Sequence, residues 1–152
     1  MLAALGPKML SLAGERADGA HPYLVTPEHT AKARAQLGPD RWLLPEQAAV
    51  LETDSDRARA IARRHISRYL DLPNYTNNLR RLGFTDDDLA GRGSDRLVDA
   101  IVAWGDVAAI NRRVGEHQDA GADHVAVQVL DADPHGLPAK HWEALAHALG
   151  KP

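Results

Sequence analysis

The sequence predicts an α/β fold in which parallel strands alternate with helices. Three short apolar runs, over 20–25, 47–51 and 124–130, are separated by segments with capping residues and apolar positions at helical spacing. Strands separated by helices pair in parallel through right-handed crossovers. A length of 152 residues indicates a single domain over 1–152. Because three full strands are few for a sheet covered on both faces, a fragment of a larger α/β barrel fits better than a complete small fold.

The first half of the chain predicts an αβα unit followed by a second strand and a long helix. Gly6-Pro7 begins the first helix, since proline is tolerated at the first helical position, and the helix is expected to run to about residue 17. After the strand over 20–25, Thr26 caps a second helix that Gly38 ends. The strand over 47–51 then leads into a cluster of capping residues before a helix over 57–70.

The sequence predicts a helical insertion over residues 72–105. One short helix begins near Pro73, and Thr85 caps another that starts with three aspartates. Ser94 caps a further helix, whose apolar stripe Leu97, Ile101 and Trp104 is expected to pack on the sheet.

The end of the chain adds two helices around the third strand. Asp106 caps a helix that Gly121 ends, and the run over 124–130 reads as a buried strand. Pro138 begins the last helix, in which Trp142 is expected to be a core residue.

Composition excludes several classes of protein. A net charge of −3 gives no broad cationic field, so neither a nucleic-acid partner nor an anionic membrane is indicated. The absence of cysteine excludes disulfides and thiolate metal sites. No apolar run approaches the roughly 20 residues that span a bilayer, and no targeting segment is visible. We therefore expect a cytoplasmic protein.

Six motifs are spread along most of the chain: LAALGPKML at 2–10, ADGAHPY at 17–23, TPEHT at 26–30, LPNY at 72–75, NNLRRLGF at 77–84 and AGADHV at 120–125. They resemble successive landmarks of the luciferase-like monooxygenases, especially their actinobacterial, coenzyme F420-dependent oxidoreductase subfamily.

The resemblance implies a partial (β/α)8 TIM-type barrel, with the first motif at the end of strand five and strands six to eight downstream. Strands one to four, which in this family carry most of the pocket for the cofactor ring, lie outside the sequence. The implied activity is hydride transfer between F420, or alternatively FMN, and an unknown organic substrate. A truncated, non-catalytic scaffold that oligomerises is the alternative. Because half a barrel leaves strand edges open, we expect a homodimer or larger oligomer.

The best site hypothesis is a phosphate cradle at the start of the first helix. Helix N-termini expose unpaired N–H groups and a partial positive charge, and the resemblance places this one at the carboxyl end of a barrel strand. Ala4, Leu5, Gly6 and Lys8 would form the cradle. The alternative is an ordinary helix start, because most Gly-Pro starts bind nothing.

Other polar residues are weaker candidates. His21 and Tyr23 near a strand end could contact substrate or cofactor, or could simply be polar residues at that end. Asn74 and Arg80 could lie near the cofactor entrance, although capping and a solvated face explain them as well. We expect at most one of the adjacent Arg80 and Arg81 to reach a ligand. No metal site is indicated, and no catalytic residue can be named.

Overall fold

A computed structural model describes residues 1–150 of the chain. Strands and helices alternate through most of it. The elements, in chain order, are α1 (Pro7–Arg16), β1 (Gly19–Ala20), α2 (Pro27–Leu37), β2 (Trp42–Leu43), β3 (Glu46–Val50), α3 (Ser55–Leu70), α4 (Pro73–Arg81), α5 (Asp86–Leu89), α6 (Asp95–Ile101), β4 (Val102–Trp104), α7 (Val107–Asp119), β5 (Ala126–Val129) and α8 (Ala139–Leu149).

All strand pairs among the described residues are parallel. β1 pairs with β2, and β3 lies between β4 and β5. Leu2 forms a parallel bridge to Ala20, which adds a further segment beside β1. Glu46 N–H donates to the carbonyl of Pro22 at 2.9 Å, so hydrogen bonding continues from β1 into the start of β3. The predicted α/β class with parallel strands is confirmed.

Side-chain caps begin the helices where the sequence predicts them. Thr26 accepts from His29 N–H, and Ser94 accepts from Leu97 N–H. Thr85 forms a reciprocal capping box with Asp88, which explains one member of the aspartate run as a helix-start residue. Each such contact typically contributes about 1 kcal/mol, and a cap can be recognised from local sequence alone.

Two strands differ from their predicted extents. The strand expected over 20–25 is regular only at Gly19–Ala20, because Pro22 has no N–H to donate and Leu24 adopts a left-handed φ of 57°. The strand expected to be buried over 124–130 is shorter, at Ala126–Val129, and only partly buried.

The placement of Trp104 in a helix was wrong. The helix after Ser94 ends at Ile101, and Val102–Trp104 forms β4, which pairs with β3. Three sheet pairings to a neighbour more than fifty residues away override the helical spacing of the apolar residues. Trp104 is half-buried, and its Nε1 donates to Asp99 at 2.8 Å.

Apolar side chains form three clusters on the two faces of the strands. The largest joins Leu24 and Val50 to the inner sides of α3, α4 and α6. A second lies between α1 and α2, and a third lies under α7 and α8. Trp142, expected in the core, is 47% exposed, because α8 buries Leu145 instead. No helix within residues 1–150 is long and apolar enough to span a membrane.

Candidate functional site

A cavity of about 340 Å³ opens at the N-terminus of α1. Three separate segments line it: the chain before α1 with the first turn of that helix, the stretch after β1, and one face of α4 from Asn74 to Arg81. Six residues singled out from the sequence line this cavity: Ala4, Leu5, Gly6, His21, Tyr23 and Asn74. We call it the cradle cavity; it brings together side chains up to seventy residues apart.

Gly6 leaves room for a cation beside the helix N-terminus. Among the described residues no side chain caps α1; Pro7 has no N–H and Met9 N–H donates to the Gly6 carbonyl at 3.1 Å, which leaves the N–H of Lys8 open to an acceptor. A Cβ built on Gly6 would lie 3.3 Å from Nη2 of Arg81, so the guanidinium lies directly over the glycine backbone. Arg81 Nη2 in turn donates to Oδ1 of Asn78 at 3.3 Å. The helix dipole and the guanidinium both favour an anion at this position.

The amide of Asn78 adds a donor that has no acceptor. Its side chain is only 3% exposed, and Nδ2 has no hydrogen-bond partner among the described residues. The bond from Arg81 fixes Oδ1 as the acceptor, so the free group is an N–H donor. A buried unpaired donor costs about 1–3 kcal/mol; Asn78 itself does not line the cradle cavity.

Lys8 and Arg80 do not line the cradle cavity. Lys8 is exposed on α1. Arg80 turns outward and pairs with Asp86 at 2.9 Å, where both side chains are largely exposed. Arg81, its neighbour, lines the cavity instead. Adjacent helix positions differ by about 100° in direction, which explains why only one of the two arginines reaches the cavity.

A buried histidine holds the chain that leads into α1. His29 Nε2 donates to the carbonyl of Leu5 at 2.8 Å, and the ring is 4% exposed. Burial lowers the pKa of His29, and the charge of Arg81 lowers it further. The ring is therefore neutral near pH 7, and it fixes the backbone of the cradle without adding charge.

Tyr23 links the cradle cavity to a cluster of polar aromatic side chains. Its hydroxyl donates to Oε1 of Gln128 at 2.7 Å, lies 3.0 Å from Nε2 of His65, and accepts from the Tyr69 hydroxyl at 3.2 Å. Burial and the bond from Tyr69 raise the pKa of Tyr23 well above its usual value. The hydroxyl therefore stays protonated and is a permanent hydrogen-bond donor.

His21 is oriented by the backbone. Its Nδ1 donates to the carbonyl of Leu44 at 2.5 Å, which leaves Nε2 as the acceptor on the ring. His21 lines the cradle cavity and lies at the end of β1.

Glu46 is a carboxyl group without a matching partner. It is 5% exposed; Oε1 has no hydrogen bond, and Oε2 accepts only a long 3.4 Å bond from Leu24 N–H. Burial raises the pKa of Glu46 to about 7, and the bond from Leu24 opposes this only weakly. A carboxyl group in such surroundings favours its neutral form.

We expect Glu46→Gln to stabilise the protein at pH 8 by roughly 1–3 kcal/mol relative to wild type, and much less at pH 5. A folded-state pKa of about 7 lies above the unfolded value, so wild-type stability is lost as pH rises from about 4.5 through 7. Urea unfolding at both pH values measures the difference. An equal effect at pH 5 and pH 8 would show that Glu46 does not titrate in this range.

The sequence analysis named Arg81 only together with Arg80, without deciding which of the two reaches a ligand, and it missed His65 and Glu46. Arg81 had a detectable signal, because Asn74, Asn77 and Arg81 recur at spacings of three and four and so share one helix face. His65 and Glu46 had none. The polar role of each depends on contacts with Tyr23 or Leu24, more than twenty residues away.

Comparison with solved structures shows the fold. The coenzyme F420-dependent tetrahydromethanopterin reductase from Methanopyrus kandleri superposes with a TM-score of 0.70 over 95% of this chain, at 18% identity. An F420-dependent secondary alcohol dehydrogenase in complex with an F420-acetone adduct gives a TM-score of 0.59 over 84% of the chain at 12% identity. Apo-MsnO8 gives 0.60 over 98% at 17% identity. The resemblance to F420-dependent enzymes therefore holds at the level of fold.

The chain spans about half the length of these structures. It covers 47%, 42% and 50% of them respectively. No family model matches the sequence, and no curated protein matches it significantly.

Proposed function

We propose that this chain carries the phosphate-binding part of an F420- or FMN-dependent oxidoreductase with a luciferase-like partial barrel. The cradle cavity is the observation that carries the proposal: an uncapped helix N-terminus, a glycine and an arginine meet at one point. The fold shared with two F420-dependent enzymes supports the choice of cofactor class.

The residues present fit the phosphate end of such a cofactor. Gly6 permits close backbone approach, the N–H of Lys8 in the first turn of α1 supplies a donor, and Arg81 supplies a planar cation. When bound, a deazaflavin or flavin supplies hydride chemistry, and the protein supplies binding and orientation.

The side chains around the cavity would orient and hydrogen-bond the reactants. Tyr23 offers its aromatic ring, because the hydroxyl donates its single proton to Gln128, and His21 offers Nε2, because its Nδ1 donates to the carbonyl of Leu44. The apolar side chain of Met9 and the ring of Tyr75 complete the wall and limit water.

Titration of the purified 152-residue protein with F420, and separately with FMN, tests the proposal by ligand fluorescence. We expect saturable binding of one of them, weakened at least about tenfold by Gly6→Asp, whose carboxylate repels a phosphate. Arg81→Gln should weaken binding by about tenfold, since a charge-assisted hydrogen bond contributes roughly 1.5–3 kcal/mol.

Arg80→Gln is the matched control. It removes the same charge one residue away, from a side chain that pairs with Asp86 outside the cavity. If Arg80→Gln and Arg81→Gln weaken cofactor binding equally, the loss comes from the overall charge of the protein and not from a contact in the cradle cavity. No binding of either cofactor would instead favour the non-catalytic scaffold.

We also propose that the chain forms a homodimer or larger oligomer. Met9 and Leu12, about one turn apart on α1, are each 42% exposed, and the segment at Leu2 forms only an isolated bridge. Light scattering during the same titration gives the mass, and a monomer at all concentrations would contradict this proposal.

A further inference from the structure

A second cavity, of about 220 Å³, lies between α3 and the segment that follows β5. Four apolar residues line it, Ile61, Val129, Leu130 and Pro138, and together they are called the apolar wall. The polar lining includes Arg68 and His65, on the same face of α3 as Ile61, and Gln128 in β5. We call it the Arg68 cavity. Its volume is below the roughly 300 Å³ at which pockets for drug-sized ligands begin, so it suits a small molecule.

Arg68 has an unused guanidinium end. Its Nε donates to the carbonyl of His65 at 3.2 Å, and the guanidinium lies 5.7 Å from the ring centroid of Tyr69. Within residues 1–150 it makes no ion pair. The two terminal nitrogens are therefore available for a planar, two-oxygen acceptor.

The other charged groups at this cavity are already engaged. Arg64 donates to the backbone carbonyls of Asp131 and Ala132. Asp131 accepts from Asp133 N–H and lies 3.1 Å from His141, and Asp133 accepts from His135 N–H. These bonds hold the segment after β5 in place.

The two aspartates limit the charge that the cavity accepts. Their carboxylates offset the positive charges of Arg64 and Arg68, so a doubly charged ligand such as phosphate would leave more uncompensated negative charge than a ligand with a single one. Burial, together with the charge of Arg68, lowers the pKa of His65 to about 4, so His65 adds no cation near pH 7. The apolar wall requires a carbon skeleton beside the anion.

We propose that the Arg68 cavity binds a small organic monocarboxylate, with its carboxylate on Arg68 and its carbon skeleton against the apolar wall. The far end of the ligand would meet Gln128 and His65. Both are hydrogen-bonded to the hydroxyl of Tyr23, which lines the cradle cavity. The two cavities are thus separated by one layer of side chains.

The monocarboxylate site does not depend on the proposed function, because its binding is measured without cofactor. If the protein binds benzoate but neither F420 nor FMN, the proposed function is wrong and the carboxylate site remains supported.

The full chain is titrated with benzoate, and binding is followed by the NMR resonance of the His65 imidazole. That resonance is assigned by its absence from the spectrum of His65→Gln. We expect a saturable shift with benzoate, at least about tenfold weaker binding in Arg68→Gln, and partial recovery in Arg68→Lys. Arg57→Gln is the matched control on the same helix, since Arg57 is exposed and pairs with Glu52. It should change the affinity by less than about twofold.

Titrations with inorganic phosphate and with benzamide test whether the Arg68 cavity prefers a monocarboxylate to a doubly charged anion and to a neutral ligand. Phosphate should bind more weakly than benzoate because of the two aspartates, and neutral benzamide should not saturate. Three results would overturn the proposal: benzoate leaves the His65 resonance unshifted, it binds Arg68→Gln as tightly as wild type, or its affinity falls as much in Arg57→Gln as in Arg68→Gln. Phosphate binding as tight as that of benzoate would overturn the monocarboxylate assignment.

Discussion

Gly19→Ala is expected to destabilise the protein by about 3 kcal/mol or more, at the upper end of overpacking effects. A Cβ at this position would lie 2.0 Å from the carbonyl oxygen of Trp42 and 2.8 Å from its Cα. The obstacle is backbone of the paired strand, not a flexible side chain, so β1 and β2 would have to separate. Their separation would also release the bridge between Ala20 and Leu2, next to the cradle.

Urea unfolding followed by circular dichroism measures this effect, with Gly115→Ala as the matched control. Gly115 lies inside α7, and a Cβ there meets nothing within 4 Å. The control should be neutral or stabilise by up to about 1 kcal/mol, because alanine is the better helix former. If both variants unfold at the wild-type urea concentration, the close approach of β1 and β2 is not as described.

The helices of this protein can be read from local sequence. Caps such as Thr26, Ser94 and Asp106 act within three residues, so the sequence carries the complete signal. The same holds for the capping box of Thr85 and Asp88. The predicted helix starts followed from these interactions.

The strands depend on distant partners and were harder to predict. β4 exists because Val102 and Trp104 pair with β3, and nothing in the local spacing of apolar residues shows this. β1 is short because Leu24 adopts a left-handed conformation, which leucine rarely adopts. In both cases tertiary structure decides the local conformation.

The residues of the candidate site also differ in how far the local sequence predicts them. The glycine at the start of α1 is visible in sequence because it precedes a proline and a helix. The arginine above it lies on another helix, and only the face shared by Asn74, Asn77 and Arg81 indicates which of two adjacent arginines turns inward. The second cavity was not foreseen, because α3 and the segment after β5 meet only in the folded chain.

His117→Leu is expected to destabilise the protein by roughly 2–4 kcal/mol. The ring is fully buried, with Nε2 2.9 Å from Oε1 of Gln47 and Nδ1 2.8 Å from the Thr30 hydroxyl. Gln47 Nε2 donates to the carbonyls of Ala48 and Ile101, which fixes Oε1 as the acceptor and Nε2 of His117 as the protonated nitrogen. Leucine would leave Oε1 of Gln47 unpaired and would leave the Thr30 hydroxyl with only a long 3.5 Å bond to the carbonyl of Thr26.

A double-mutant cycle with Thr30→Val separates this loss from simple repacking. Since Thr30→Val removes one of the groups that leucine leaves unpaired, the two changes should be non-additive by about 1 kcal/mol. Gln118→Ala, the adjacent exposed position on α7, should change stability by less than about 0.5 kcal/mol. Strict additivity would mean that the contact between Thr30 and His117 contributes nothing.

The pH dependence of the same variant gives an independent check. Burial, and then the charge of Arg113, lowers the pKa of His117 to about 4, below its unfolded value. The unfolded chain therefore binds more protons than the folded chain between about pH 4 and 6.5, and wild-type stability falls as pH drops through that window. His117→Leu removes this contribution, so its stability should change less between pH 7 and pH 5 than that of wild type. If the stability of His117→Leu changes with pH as steeply as that of wild type, His117 has the same pKa in the folded and unfolded chains. Burial then does not disfavour the charged ring.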